Sequence, residues 1–198
     1  DPEAVAAEGW VFPFDHPLAP EPGDNQAVAI NTTDGTVLYD VAFAMVWVED
    51  GSAAMNRNEA QAWASCETCA AVAIAFQVVF VIDDDPTDTN VAAPQNLAGA
   101  LNYDCVNCLT YALARQLFIT LDEPLSDEAM RRLDDLWAEI AAYSRDIQAG
   151  KVALDEVEGR LADYKEEILA IVAEDQDDAE VGPASRPSGS ESSVSPSA

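Results

Sequence analysis

The sequence predicts an α+β fold: a mixed sheet built from a hairpin and two helix-CxxC-strand repeats, followed by an antiparallel helical hairpin. Three observations carry this. Two long apolar runs, AAVAIAFQVVFVI (70–82) and LTYALARQLFITL (109–121), each follow a C-x-x-C. Two β-rich runs, 25–31 and 37–48, flank Asp34-Gly35, which reads as a hairpin turn. After Pro124 the apolar positions step by three and four, the period of helices.

Residues 1–24 carry Pro2, Pro13, Pro17, Pro20 and Pro22, a density that blocks helix and central strand alike. Trp10, Phe12 and Phe14 alternate within this stretch, so it reads as an extended arm laying aromatic rings onto the domain. Residues 39–48 (YDVAFAMVWV) are nearly all apolar, as in a strand covered on both faces. Together, residues 25–123 form a disulfide-stabilised α+β domain with an internal repeat, 58–83 and 96–122.

The repeat appears on a shift of 39 residues: Cys66 falls on Cys105, Cys69 on Cys108, Ala73 on Ala112, Gln77 on Gln116 and Asp83 on Asp122. Upstream of the cysteines a one-residue slip aligns Asn58 with Asn96, Ala60 with Ala98 and Ala62 with Ala100. Each copy reads as a short helix, a C-x-x-C turn and a strand, with the copies related by a pseudo-twofold axis. Gln77 and Gln116, mid-strand among apolar neighbours, are expected to bond backbone or each other across that axis; a ligand-binding pair is the alternative.

Ser126 is placed to cap a helix whose first turn holds Asp127 and Glu128, complementing the helix dipole. Met130, Leu133, Trp137, Ile140 and Ile147, with Ser144 keeping phase, form its stripe, and Gly150 ends it. A second stripe runs from Leu154 through Val157, Leu161, Tyr164, Ile168 and Ile171. Residues 124–174 therefore predict two antiparallel helices of about 33 Å each. Residues 175–198, rich in Ser, Pro and acid, predict a disordered tail.

The 198 residues hold 37 acidic and 9 basic side chains, a formal charge of -28, which opposes binding of nucleic acid or anionic lipid because phosphates would be repelled. The one histidine, His16, excludes His-rich zinc sites and mechanisms needing two imidazoles. No apolar run reaches the roughly 20 residues of a membrane-spanning helix. Asp134-Asp135 and Glu166-Glu167 read as solvated helix faces rather than glycosidase carboxylates. Asp83, Asp84, Asp85 and Asp88 offer oxygen ligands for calcium but lack the glycine and closing glutamate of an EF-hand loop. The chain begins at Asp1, the mark of a processed or excised product, so any targeting or tethering segment is expected upstream.

Cys66, Cys69, Cys105 and Cys108 carry the strongest chemical signal. Structural disulfides in an oxidising compartment are the leading reading. A four-thiolate zinc module has acceptable count and spacing, but CETC and CVNC lack the glycines that turn backbone amides toward sulfur. Redox C-x-x-C chemistry needs a helix following the motif, whereas here a strand follows. All three pairings remain open, with a slight preference for bonds between repeats, because a bond within C-x-x-C closes a very small loop. No nucleophile–base constellation accompanies the cysteines, so no catalytic, cofactor or metal residue is assigned. The leading function is a non-catalytic extracytoplasmic interaction or accessory domain with a protein or peptide partner. The alternatives are a thiol–disulfide oxidoreductase or a structural four-cysteine zinc module.

The strings NQAVAINTTDG, YDVAFAMVWV, ASCETCAAVAIAFQVVFVI and APQNLAGALNYDCVNCLTYALARQLFITL resemble the extracytoplasmic region of actinobacterial proteins that carry the family name peptide zinc metalloprotease. The resemblance covers residues 9–173. It implies a region that accompanies a multi-pass membrane part, and a zinc peptidase built on H-E-x-x-H. No H-E-x-x-H occurs in this sequence, so the resemblance places any peptidase activity in a segment other than these residues.

Overall fold

A computed structural model describes residues 10–49, 51–83 and 91–176. Six strands and two helices follow in order: β1 (Asn25–Asn31), β2 (Val37–Val48), β3 (Arg57–Ala64), β4 (Ala70–Ile82), β5 (Gln95–Asn102), β6 (Leu109–Leu121), α1 (Asp127–Gln148) and α2 (Leu154–Asp175). The strands form two three-stranded sheets, β1-β3-β5 and β2-β4-β6, and every pairing is parallel. The chain thus coils three times, giving one strand to each sheet per coil, and stacks each coil on the last.

This corrects the expected mixed sheet and its hairpin. β1 and β2 do not pair with each other; the corner holding Asp34-Gly35 carries the chain from one sheet to the other. The expected short helices before the cysteines are β3 and β5. Their alanines suggest helix by propensity, but they recur at every second residue in N-x-A-x-A, the period of a strand with one tightly packed face. The pattern occurs three times, as NQAVA, NEAQA and NLAGA, so there are three coils rather than two copies. Successive coils are related by a step along the stack, not by a twofold axis.

Two layers of burial result. Ala27, Ala29, Ala60, Ala62, Ala71, Ala73, Ala75, Ala112 and Ala114 lie between the sheets. The opposite face of β2-β4-β6 presents Val72, Ile74, Phe76, Val78, Phe80, Leu113 and Leu117, and the helices cover it with Leu133, Ile140, Leu161, Tyr164 and Ile168. β4 is therefore buried on both faces, which explains its unbroken apolar run. Each large side chain there contributes about 1.5–3 kcal/mol.

The helices are antiparallel: Tyr143 packs edge-on to Tyr164, Arg132 binds Glu174 at 2.6 Å, and Ser126 at the start of α1 bonds Asp175 at the end of α2. Ser126 Oγ also accepts from Ala129 N–H at 3.2 Å, capping α1. Gly150, with φ +66, reverses the chain beyond α1. The described part of the arm lays Phe12 against Trp63, 5.4 Å between rings, while Trp10 stacks on His16 at 3.5 Å. Among the described residues no helix is long and apolar enough to cross a membrane. Residues 84–90 and 177–198 are outside the described residues, and with them most of the Asp83–Asp88 calcium reading and the tail expected at 175–198.

Candidate functional site

The corner between the two sheets is built three times from one template. Thr33-Asp34-Gly35-Thr36 stands under Cys66-Glu67-Thr68-Cys69, which stands under Cys105-Val106-Asn107-Cys108. The third position of each is left-handed: Gly35 at φ 68, Thr68 at 54 and Asn107 at 53. Glycine adopts this freely and asparagine tolerates it, whereas branched Thr68 is strained by an amount on the order of 1–3 kcal/mol. Stacking against both neighbours compensates: Gly35 N–H donates to Glu67 O (2.9 Å), Thr68 N–H to Val106 O (2.8 Å) and Val106 N–H to Cys66 O (3.2 Å).

Within each motif the two sulfurs lie at disulfide bonding distance, Cys66 with Cys69 and Cys105 with Cys108, their Cα atoms 6.1 and 6.0 Å apart. The slight preference for bonds between repeats is thereby corrected: the corner folds each motif on itself, whereas the nearest sulfurs of different coils, Cys69 and Cys108, are 3.5 Å apart. Both motifs sit between two strands, not between a helix and a strand.

All four Sγ atoms lie within 4.8 Å of one another, so the donor count alone suits a tetrahedral ion once both bonds are reduced. The surroundings suit thiolates poorly. Asn31 O lies 3.2 Å from Cys66 Sγ, and Cys66 O lies 3.0 Å from Cys108 Sγ. A bonded sulfur carries no proton, so these are close S···O contacts rather than hydrogen bonds, and a thiolate there would face carbonyl dipoles. Of the corner amides that could have offset this charge, Thr68 and Val106 donate to carbonyls of adjacent coils and Glu67 to Asp34 Oδ1.

Two amide ladders lock the coils. Asn25 Nδ2 donates to Asn58 Oδ1 and Asn58 Nδ2 to Asn96 Oδ1, both at 2.8 Å. The same amides cross to the other sheet, reaching Ala42 O (2.8 Å), Arg115 O (2.9 Å) and Ala114 O (2.9 Å). Gln116 Nε2 donates to Gln77 Oε1 at 2.8 Å, and Gln77 Nε2 to Gly23 O at 2.7 Å. The glutamines therefore bond each other along the stack. Ala44 holds their register position in the first coil. The asparagine ladder escaped functional or structural assignment in the sequence; the threefold N-x-A-x-A was its visible signal.

Two charge perturbations, at Tyr111 and Lys165, lie at the β6–α2 seam. Arg115, buried, binds Glu158 at 2.6 Å. Burial and then repulsion from Arg115 hold Lys165 below the usual lysine range, and burial followed by Glu158 raises Tyr111. Among the described residues this seam contains no nucleophile paired with a base. Asp134, Asp135, Glu166 and Glu167 lie exposed on the helices, and His16 remains in the arm, stacked on Trp10.

A groove of about 410 Å³ opens where the arm meets the end of β2 and the segment leading into β3. Trp47, stacked on Phe80 at 4.3 Å, and exposed Met55 give it an apolar floor, and Glu21 and Glu49 an acidic rim. It continues past Leu18 toward Gln95. Comparison with family models, with curated proteins and with solved structures finds no match for this chain.

Proposed function

We propose that this chain is a non-catalytic extracytoplasmic interaction domain, accessory to a membrane protein of the zinc metalloprotease-like kind that its sequence resembles. One observation carries the reading: the buried residues with reactive or coordinating chemistry are committed to holding coils together. The cysteines close the corners, the asparagines and glutamines form ladders, and carbonyls face the sulfurs. Paired cysteines at two corners favour an oxidising compartment. The groove beside Trp47 and Met55 then supplies the contact surface. Its acidic rim, on a chain of charge -28, fits a cationic extended peptide segment with one large apolar side chain.

Two measurements test this. The native chain, unreduced, has a mass four hydrogens below the reduced chain, and its sulfurs resist mild reductant; sulfurs that cycle readily would instead support the oxidoreductase reading, and one bound ion per chain the zinc module. Titration with a Lys/Arg-rich decapeptide carrying a single Phe gives salt-sensitive binding that Met55→Lys weakens, whereas its Glu-rich counterpart does not bind. Equal binding of both peptides refutes the groove assignment.

A further inference from the structure

We infer that this chain self-associates as a two-fold dimer through the free edge of β5, joining two β1-β3-β5 sheets into one of six strands. This goes beyond the interaction role proposed above and stands independently of it.

The sheet edges are treated unequally. At the edge of β1, Asp40 Oδ2 accepts from Val28 N–H at 2.6 Å. At the edge of β2, the Gln148 amide substitutes for a strand, accepting from Val41 N–H (2.9 Å) and donating to Tyr39 O (2.6 Å). β6 is buried along most of its length. β5 differs. Gln95 and Tyr103 donate their N–H groups toward β3, so by the alternation of a strand Ala98 and Ala100 direct theirs outward. Among the described residues no side chain bonds those outward groups. The inward alanines report the same opening, since Ala60 and Ala62 in the preceding coil are fully buried while Ala98 and Ala100 are partly exposed.

β5 also lacks the usual protection. In a chain of charge -28, none of its eight residues is charged and none is proline. Residues 96–102 read NLAGALN, the same in both directions about Gly99. An antiparallel pair centred on Gly99 therefore matches itself. Ala98 faces Ala100 of the second copy on both sides of the axis, exchanging four N–H···O bonds. Leu97 faces Leu101 as a non-hydrogen-bonded pair, where side chains approach most closely, and Asn96 faces Asn102. Gly99 faces Gly99, with the Gln61 amide of each copy lying over it, so that a Cβ at Gly99 would come within 2.4 Å of Gln61 Oε1 and displace that amide. Asp40 obstructs head-to-tail addition of β5 onto β1, so association closes at two.

Sedimentation equilibrium of the full chain over a wide concentration range shows a mass rising to twice 21.2 kDa. Leu97→Lys weakens the dimer by more than about tenfold while the circular dichroism spectrum and melting stay unchanged. For the register, Leu97→Cys and Leu101→Cys chains are oxidised separately and as a mixture; only the mixture gives an interchain bond, visible on a non-reducing gel. A 21.2 kDa mass at the highest concentration, assembly beyond two copies, or cross-linking of a single variant as strong as that of the mixture overturns the proposal.

Discussion

Replacing Asn58 by alanine interrupts the asparagine ladder at its centre, and the structure gives the cost. The side chain is fully buried. It accepts from Asn25 Nδ2 at 2.8 Å and donates to Asn96 Oδ1 at 2.8 Å, Arg115 O at 2.9 Å and Ala75 O at 3.3 Å. Asn25 keeps its bonds to Ala42 O and Phe76 O, and water reaches partly exposed Asn96. Arg115 O and Ala75 O lose a donor where water does not replace it. A net bond contributes about 1 kcal/mol and an orphaned buried group costs about 1–3 kcal/mol, which sums to about 4 kcal/mol. Asn96→Ala, at the open end of the ladder, loses its bonds to Asn58 Nδ2 and Ala114 O and costs about 2 kcal/mol by the same count. With a urea slope of roughly 2 kcal/mol per molar, the midpoint falls by about 2 M for Asn58→Ala and about 1 M for Asn96→Ala. Asn58→Asp keeps the shape but turns an acceptor toward three carbonyl or amide oxygens, so it destabilises more than alanine at neutral pH. Urea unfolding followed by circular dichroism measures all three. An Asn58→Ala loss below about 1 kcal/mol, or no larger than that of Asn96→Ala, refutes the assignment of the ladder as the main polar staple.

Three further outcomes are expected. Thr33→Cys with Thr36→Cys, placed at the corner that Thr36 Oγ1 now closes by donating to Thr33 O at 2.7 Å, forms a third bond of the Cys66–Cys69 type; unreduced mass six hydrogens below the reduced chain checks it. Gln148→Ala uncaps β2 and costs about 1–2 kcal/mol, measured by urea unfolding, with faster light-scattering growth on warming. Asp175 is held below the ordinary carboxylate range first by the Ser126 hydroxyl and then by the Ser126 N–H, so the unfolded chain takes up its proton at a higher pH than the folded one. The stability advantage over Asp175→Asn is complete above the ordinary aspartate value of about 3.9 and disappears as pH falls through the lowered folded value, read from thermal melts.

The register of the later coils was legible because identical residues stack on themselves. Cys66 over Cys105, Gln77 over Gln116 and Asn58 over Asn96 follow from aligning the chain with itself, and the observed pairings keep those alignments. The one-residue slip falls between Asn102 and Cys105, where the third coil fits an additional residue beside Asp104, at φ 46. Both helices and the Ser126 cap were equally plain, since the 3.6-residue period is a local signal. Strand direction was not. Pairing between residues 33 or 39 apart leaves no local trace, and Asp34-Gly35 occurs in hairpins and sheet-crossing corners alike. The first coil escaped notice because its corner carries threonine where the others carry cysteine. The alanines of β3 and β5 misled because helix propensity and close sheet packing both select small side chains.

The alanine layer between the sheets limits how such a chain can vary over time. A seam lined by methyl groups has no slack for one larger neighbour, and a single inserted residue inside a strand would swap its inner and outer faces. Length is therefore free to drift only in the connecting loops, while the stack itself lengthens or shortens by gaining or losing an entire winding.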